Sequence, residues 1–169
     1  MRLYVRHKTE SGEWRRGVVF LKEILPRFAI SWVANTIYGE PYQTRRMRHS
    51  WIEKKGEVSA NYEWKSAQWN SFSVNANLQS HELKINSETE FITEHFRGFT
   101  KLKHQKMATY EVEHPRWLTY PVLDFCVNVD FTEVYRNDFE CLSNQNPSSV
   151  FLAEGSEIIV NTGHIIPTI

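Results

Sequence analysis

Apolar and small polar residues alternate along several short stretches of the chain, and this period of two restricts the fold more than any other feature. Phe72, Val74, Ala76 and Leu78 alternate with serine and asparagine, so a strand here has one apolar face and one polar face. Further short β-type runs, each bounded by turn-forming residues, occupy 3–7, 14–20, 58–62, 96–103, 108–114, 122–131, 150–153 and 158–160. Many short strands predict a mainly β (α+β) fold, built as an antiparallel barrel or sandwich.

Two or three short helices are expected between these strands. Apolar residues recur every three or four positions over residues 28–37, and Gly39 closes the predicted helix. Ser87 and Glu90 have the spacing of a capping box, which predicts the start of a second helix. A third helical stretch is expected near residues 132–142.

Besides the hairpin turn expected at residues 10–12 between the runs 3–7 and 14–20, three tight turns are predicted between neighbouring strands. The sequence Lys-Lys-Gly-Glu at residues 54–57 turns one strand into the next, and residues 103–106 form a second turn. A third turn at residues 154–156 joins the last two runs, 150–153 and 158–160, into a final hairpin.

Length and charge restrict the domain count and the partners. The 169 residues, of which 41% are hydrophobic, fit one globular domain over residues 1–169. Residues 1–56 carry 12 Lys and Arg against 5 Asp and Glu, whereas residues 57–169 carry 8 against 15. A basic half is typical of some nucleic-acid binders. The net charge of zero instead favours pairing between the halves, so no nucleic-acid partner is expected.

Hydropathy and cysteine usage restrict the compartment. The sequence contains no apolar run long enough to cross a bilayer, so we expect no membrane partner. The two cysteines, Cys126 and Cys141, fit a reducing compartment better than a disulfide scaffold. A cytoplasmic protein is therefore predicted.

The stretch from Tyr110 to His114 is unusual because one residue separates two glutamates. On a strand, Glu111 and Glu113 share one face, while Tyr110, Val112 and His114 share the other. If the glutamates face a cavity, their interaction raises the pKa of one carboxyl group, and the pair could perform acid–base chemistry. In the alternative interpretation, tyrosine and valine face the core and both glutamates face water.

Glu94, His95 and Arg97 form a second group of reactive side chains, just before a neighbouring predicted strand. His95 and His114 with one carboxylate could bind a metal ion, since two imidazoles and a carboxylate form a known open site. The spacings typical of zinc sites, the glycine-rich phosphate loop and the Gly-x-Ser-x-Gly motif are all absent from the sequence. We therefore expect neither a metal ion nor an organic cofactor.

Several sequence motifs are spread over nearly the whole chain. Residues 93–99 read Thr-Glu-His-Phe-Arg-Gly-Phe, and residues 110–117 read Tyr-Glu-Val-Glu-His-Pro-Arg-Trp. Together with the stretches 2–5, 14–20, 37–42 and 149–155, they resemble the YqjF-like family, which is also called DUF2071. The family is an uncharacterised group placed beside the acetoacetate decarboxylase-like fold. The resemblance therefore implies a closed antiparallel β-barrel around a cavity of small-molecule size.

The true decarboxylases resemble the Ile-Tyr-Gly-x-Pro motif at residues 37–41, but they follow the proline with two lysines. One of those lysines forms a Schiff base with the ketone substrate. In this chain the two positions hold Tyr42 and Gln43, and neither can form an imine. The resemblance therefore implies that acetoacetate decarboxylase activity is lost. Lys54 and Lys55 could form a displaced pair, although their sequence favours a solvated turn.

Members of the family usually have a further N-terminal region before the strand that matches residues 3–5. The resemblance thus implies that this chain is a short member of the family, a truncated reading or a fragment. Missing early strands would leave an unpaired sheet edge, so a homodimer or poor solubility is expected unless the short form closes differently.

The leading functional hypothesis is a barrel that binds a small organic acid. The Arg97 guanidinium could hold the ligand carboxylate with two hydrogen bonds, and Tyr42, Glu111 and His114 complete the expected ligand-binding residues.

Two other functions remain open at this point. The first is an acid–base enzyme, a lyase or hydrolase, with Glu94, His95 and Glu113 as the candidate catalytic residues. The second is a noncatalytic interaction or structural module. Burial of Glu111 and Glu113 in a cavity would favour a functional site on this strand. Solvation of both would leave the strand only its tyrosine–valine face, which packs in the core.

Overall fold

The computed structural model describes residues 1–39, 41–102 and 106–166, and it is mainly β with a few short helices, as the alternation predicts. The strands are β1 (Arg2–Lys8), β2 (Trp14–Phe20), β3 (Glu23–Leu25), β4 (Tyr42–Thr44), β5 (Met47–Lys54), β6 (Glu57–Lys65), β7 (Trp69–Asn77), β8 (Arg97–Lys101), β9 (Met107–Glu113), β10 (Thr119–Tyr120), β11 (Val122–Asn128), β12 (Leu152–Ala153), β13 (Ile159–Val160) and β14 (His164–Ile166). The helices are α1 (Phe28–Val33), which continues as a π-helix (Ala34–Tyr38), α2 (Glu88–Thr93), α3 (Phe131–Tyr135) and a 3₁₀ helix (Asn137–Asn144). Within the described ranges, no helix has both the length and the apolar composition needed to cross a membrane.

The chain forms two compact units, and neither is one continuous stretch of sequence. Unit 1 comprises Met1–Thr44, Ile85–Arg116 and Ser156–Ile169, and unit 2 comprises Arg45–Lys84 and Trp117–Gly155. The chain therefore passes between the two units four times. The expectation of a single domain over residues 1–169 stays a prediction.

A mixed sheet forms the frame of unit 1. Its strand order is β1–β2–β8–β9, and both β13 and β14 pair with β9. Every one of these pairs is antiparallel except β2 with β8, which run parallel. The parallel pairing is limited to Val18 opposite Gly98.

Two glycines allow β2, β8 and β9 to approach closely. A Cβ atom on Gly17 would lie 2.6 Å from the Phe99 ring and 2.7 Å from the backbone oxygen of Arg97. A Cβ atom on Gly98 would lie 2.2 Å from Cζ of Tyr110 on the neighbouring strand. Buried Val18 and Phe99 complete this part of the core, so the close packing depends on the absence of both side chains.

Helix α2 of unit 1 begins as the capping-box spacing predicts. The Ser87 hydroxyl accepts a hydrogen bond from the Glu90 backbone N–H over 3.1 Å. The Glu90 carboxylate binds the backbone N–H of Asn86 at 2.6 Å, one residue earlier than the standard box would require. This N–H, together with a hydrogen bond from the Arg116 guanidinium, lowers the pKa of Glu90 below its usual 4.5. The cap therefore fixes where α2 begins.

Unit 2 is built on the antiparallel sheet β11–β7–β6–β5. Strands β5 and β6 form the predicted hairpin, with positive φ angles at Lys55 (55°) and Gly56 (82°) in its two-residue turn. Three small or branched residues on one sheet face are almost fully buried: Val58, Ala60 and Ala76.

The same face of the unit 2 sheet also carries three partly exposed rings, Trp51, Tyr62 and Phe72, which we call the aromatic face. Their exposed fractions are 42%, 48% and 44%. The alternation therefore placed Phe72 on the apolar face correctly, although its ring is less buried than a core position would be.

A fully buried asparagine connects β7 with α3 in unit 2. The Asn70 amide nitrogen donates to the Gln68 carbonyl at 3.3 Å, and its amide oxygen accepts from the Asp130 N–H at 2.9 Å. The Asp130 carboxylate in turn accepts from the Glu133 N–H at 2.8 Å and caps α3. Buried polar groups require such partners, so this network determines where α3 begins.

Three expectations from the sequence concern strand pairing and turns. The prediction of a final hairpin is wrong, because β12 pairs with β10 in unit 2, whereas β13 pairs with β9 in unit 1. Hydrogen bonds join the described strands into four separate sheets and close none of them into a barrel. The turn predicted over residues 103–106 falls largely outside the described residues, as does Glu40 of the Gly-x-Pro motif.

We expect Gly98→Ala to lower the free energy of unfolding by about 1–3 kcal/mol, because the new methyl group overlaps the Tyr110 ring. Urea denaturation of the purified protein measures this loss. In a Tyr110→Leu background the same substitution should cost clearly less, since the ring is gone. Equal costs in both backgrounds would contradict the assigned contact.

Candidate ligand-binding cleft

An open cleft of about 860 Å³ lies in unit 1, beside the short parallel contact between β2 and β8. Its walls come from the start of β2, from the segment that leads into β8, and from the end of β9. The lining residues are Glu13, Trp14, Arg15, Arg16, Glu94, His95, Phe96, Arg97, Glu111, Val112, Glu113 and His114. A volume of this size accommodates a small organic molecule.

The structure brings together six of the seven residues that the sequence indicated. Three are the candidate catalytic residues and three are candidate ligand-binding residues, namely Glu94, His95, Glu113, Arg97, Glu111 and His114. Tyr42 does not line the cleft. It lies on β4, where its backbone N–H donates to the Asn35 side chain at 2.8 Å and its carbonyl accepts from the same amide at 3.0 Å.

Arg97 and Glu111 form an ion pair across β8 and β9. The two residues are directly opposite in the strand register, and Nη2 of Arg97 donates to Oε1 of Glu111. The Arg97 side chain is 21% exposed and that of Glu111 is 52% exposed. Ion pairs this open to water contribute little to stability, so a ligand carboxylate could compete for the guanidinium.

Glu113 lies on the same strand face as Glu111, as the alternation predicts, but it has a different partner. Its carboxylate accepts a hydrogen bond from the Asn161 side chain at 2.5 Å. Both glutamates are exposed. They therefore act as separate acceptors at the edge of the cleft rather than as a buried carboxylate dyad.

His95 is held against α2 and β1. Its ring lies 4.8 Å from the Tyr4 ring and 4.6 Å from the Phe91 ring, measured between centroids. Partial burial lowers the pKa of His95 below its usual 6.5, although the bond to the Phe91 carbonyl opposes this shift, and the Arg16 and Arg2 charges lower the pKa further. The imidazole is thus favoured in its neutral form.

The tautomer of His95 follows from its backbone contact. Nδ1 lies within hydrogen-bond distance of the Phe91 carbonyl, which can only accept. Nδ1 therefore carries the proton, and Nε2 keeps a lone pair that can accept a proton. This is the arrangement that a general base requires.

Glu94 and His114 are two further titratable residues of the cleft. The Oε1 atom of Glu94 is buried and has no hydrogen-bond partner within the described part of the chain. The His114 ring lies 4.9 Å from the Phe96 ring, tilted by 44°, and its Nδ1 lies 2.8 Å from the Pro115 carbonyl. Across residues 1–39, 41–102 and 106–166, no group of three or more histidine, cysteine, aspartate or glutamate side chains could hold a metal ion.

The sequence analysis missed the wall that β2 contributes, namely Trp14, Arg15, Arg16 and the preceding Glu13. Arg15 pairs with Glu13 at 3.3 Å. Arg16 lies directly opposite Arg6 of β1, and the structure shows no carboxylate partner for it among the described residues. Alternation along β2 predicts that Trp14 and Arg16 share a face. No local sequence pattern indicates that β2 lies beside β8, so its contribution to the cleft could not be predicted.

We expect His95 to make the free energy of unfolding depend on pH. Because its pKa is lowered in the folded protein, the unfolded chain binds more protons there, and stability falls as the pH drops from about 6.5 through the folded-state pKa. Glu63 and Glu90, whose pKa values are also lowered, act only below about 4.5. Urea denaturation between about pH 7 and pH 5.5 should therefore show a smaller decline for His95→Gln than for the wild type. Identical declines would contradict the burial of this imidazole.

Comparison with known proteins gives one result. The sequence pattern of the DUF2071 family, described as an uncharacterized conserved protein, matches residues 1–157. Neither a curated protein nor a solved structure matches the chain. Since the match covers most of its length, the chain belongs to the DUF2071 family.

Proposed function

We propose that this protein binds a small organic anion, preferably a carboxylate, in the cleft of unit 1. The observation that carries the proposal is Arg16, an exposed guanidinium in the cleft wall with no carboxylate partner among the described residues. Guanidinium groups bind carboxylates through two parallel hydrogen bonds, which supplies both affinity and orientation.

The neighbours of Arg16 support an anionic ligand. Arg6 is directly opposite on β1, and like charges at opposed positions destabilise a strand pair. A bound carboxylate would neutralise part of this repulsion. The Trp14 ring in the cleft wall carries the Arg6 guanidinium at 5.0 Å and the Lys8 ammonium at 5.8 Å from its centroid, so two further cations lie beside this wall.

The proposal excludes Schiff-base chemistry as the function of the cleft. No lysine is among its described lining residues. The positions that match the decarboxylase lysines hold Tyr42 and Gln43 on β4, and Lys54 and Lys55 lie at the β5–β6 hairpin turn of unit 2. The relationship to the acetoacetate decarboxylase-like fold is a further part of the proposal and rests on the sequence resemblance.

A second candidate function is acid–base catalysis on the bound anion by a lyase or hydrolase mechanism. The observation that favours it is His95, whose neutral imidazole presents Nε2 as a base in the same cleft. Glu94 would assist as a neighbouring carboxylate.

Two exposed free cysteines suit a reducing compartment, so the proposal also includes a cytoplasmic location.

Thermal denaturation with a panel of small carboxylic, hydroxy and oxo acids tests the binding proposal. An acid at one hundred times its dissociation constant should raise the melting temperature by about 5–10 °C. Arg16→Gln should abolish most of this shift, because it removes the guanidinium that lies over the Phe91 ring at 5.9 Å without a carboxylate partner among the described residues. Arg27→Gln, an exposed arginine of the same unit that does not line the cleft, is the matched control.

Two outcomes would overturn the proposal. Either no acid raises the melting temperature of the wild type, or Arg16→Gln retains the shift in full.

The catalytic candidate is tested separately by following the stabilising acid by NMR. His95→Gln should then stop turnover while the thermal shift persists.

A further inference from the structure

Strand β5 forms an edge of the unit 2 sheet. It pairs with β6 on one side, and among the residues that the structure describes no strand pairs with its other side. All of its eight residues except Met47 are exposed. Its register with β6 is continuous from Met47 to Lys54, with neither a bulge nor a proline. These are the features of an edge that can accept another strand.

The backbone groups that point outward from β5 can be identified. The Lys65 N–H donates to the Arg46 carbonyl at 2.8 Å, and the strand register continues from that pair to Lys54 opposite Glu57. In antiparallel strands, residues alternate between bonding to the partner and facing away from it. The even-numbered residues of β5 therefore bond to β6. The N–H and C=O groups of Met47, His49, Trp51 and Glu53 point outward.

We propose that two copies of this chain form a dimer by antiparallel pairing of β5 with β5 of the partner. The two-fold axis passes beside Trp51, so that each Trp51 lies opposite the partner's Trp51. In this register the outward backbone groups of His49 meet those of the partner's Glu53, and the reverse pair forms on the other side of the axis. The two four-stranded sheets become one continuous sheet of eight strands.

Charge complementarity favours this register over its neighbour. Oε1 of Glu53 already accepts from Nε1 of Trp51 at 2.8 Å, but a carboxylate has further lone pairs, and the N–H of the partner's His49 imidazole can donate to one of them. Moving the axis to Ser50 would place Glu53 opposite the partner's Met47 and lose both pairs between His49 and Glu53. The like-charge contacts bring Arg48 near the partner's Lys54, once on each side of the axis. Glu63 already holds Arg48 at 2.6 and 2.8 Å, which screens these contacts.

The aromatic face also supports a second copy as the partner. With the axis at Trp51 or at Ser50, corresponding faces of the two sheets lie on the same side of the joined sheet. The exposed Trp51 ring of one chain then meets the same ring of the other, next to Tyr62 and Phe72 in each copy. Aromatic pairs at opposed strand positions are stabilising, so the pairing extends one apolar surface across the axis.

Cysteine cross-linking tests the register directly. In a background with Cys126→Ser and Cys141→Ser, Trp51→Cys should form a disulfide-linked dimer on mild oxidation. Opposed residues in a hydrogen-bonded antiparallel pair have Cα atoms about 5.5 Å apart, which suits a disulfide. Ser50→Cys is the matched control, since it would lie opposite the partner's Ile52 and should not cross-link. Cross-linking by Ser50→Cys with none by Trp51→Cys would overturn the register.

Light scattering across a concentration series tests the dimer itself. The wild type should have the mass of two chains, and His49→Glu should raise the dimer dissociation constant by about tenfold, because two like-charge pairs form across the axis. Adding Glu53→Lys to His49→Glu should restore the wild-type constant. A monomeric wild type would overturn the proposal, as would a dimer that these substitutions leave unchanged while circular dichroism shows the native fold.

Discussion

The close approach of β2, β8 and β9 in unit 1 depends on two residues that have no side chain. Gly17 leaves room for the Phe99 ring and the Arg97 backbone, and Gly98 leaves room for the Tyr110 ring. The parallel pairing of β2 with β8 is limited to a single position, Val18 opposite Gly98. The cleft lies beside that position, so the packing around the two glycines also places the neighbouring cleft residues Arg16 and Arg97.

The electrostatics of the cleft follow from its openness. Arginines and glutamates from three segments meet there, and their ion pairs are exposed enough for water to screen them. Such pairs can exchange partners at little cost in free energy. Arg97 is already engaged by Glu111, whereas Arg16 faces another arginine. In the proposed function, Arg16 therefore takes the main role in anion binding that the sequence suggested for Arg97.

The sequence predicted those features that depend on local patterns. Alternation gave β7 and β9 and placed Glu111 with Glu113 on one face, and the Ser87–Glu90 spacing gave the start of α2. Each of these signals lies within a few neighbouring residues, where strand and helix geometry dictate the face.

Strand partners could not be predicted in the same way. The pairing of β2 with β8 joins residues 80 positions apart, and β13 pairs with β9 rather than with its neighbour β12. Local periodicity indicates which face of a strand is apolar but not which strand lies beside it. The contribution of β2 to the cleft was missed for this reason, and so was the position of Tyr42 away from it.

The passage of the chain between the two units has a consequence for how the protein folds. Strand β9 obtains its partners β13 and β14 only from residues beyond 156, while β1 and β2 come from the first 20 residues. Closing such distant pairs costs chain entropy before their contacts can form, which makes folding slow. During synthesis on the ribosome, the sheet of unit 1 must wait for residues 159–166, and β9 stays an open edge until then. Chaperone protection of that edge is thus most valuable until residues 159–166 have left the ribosome.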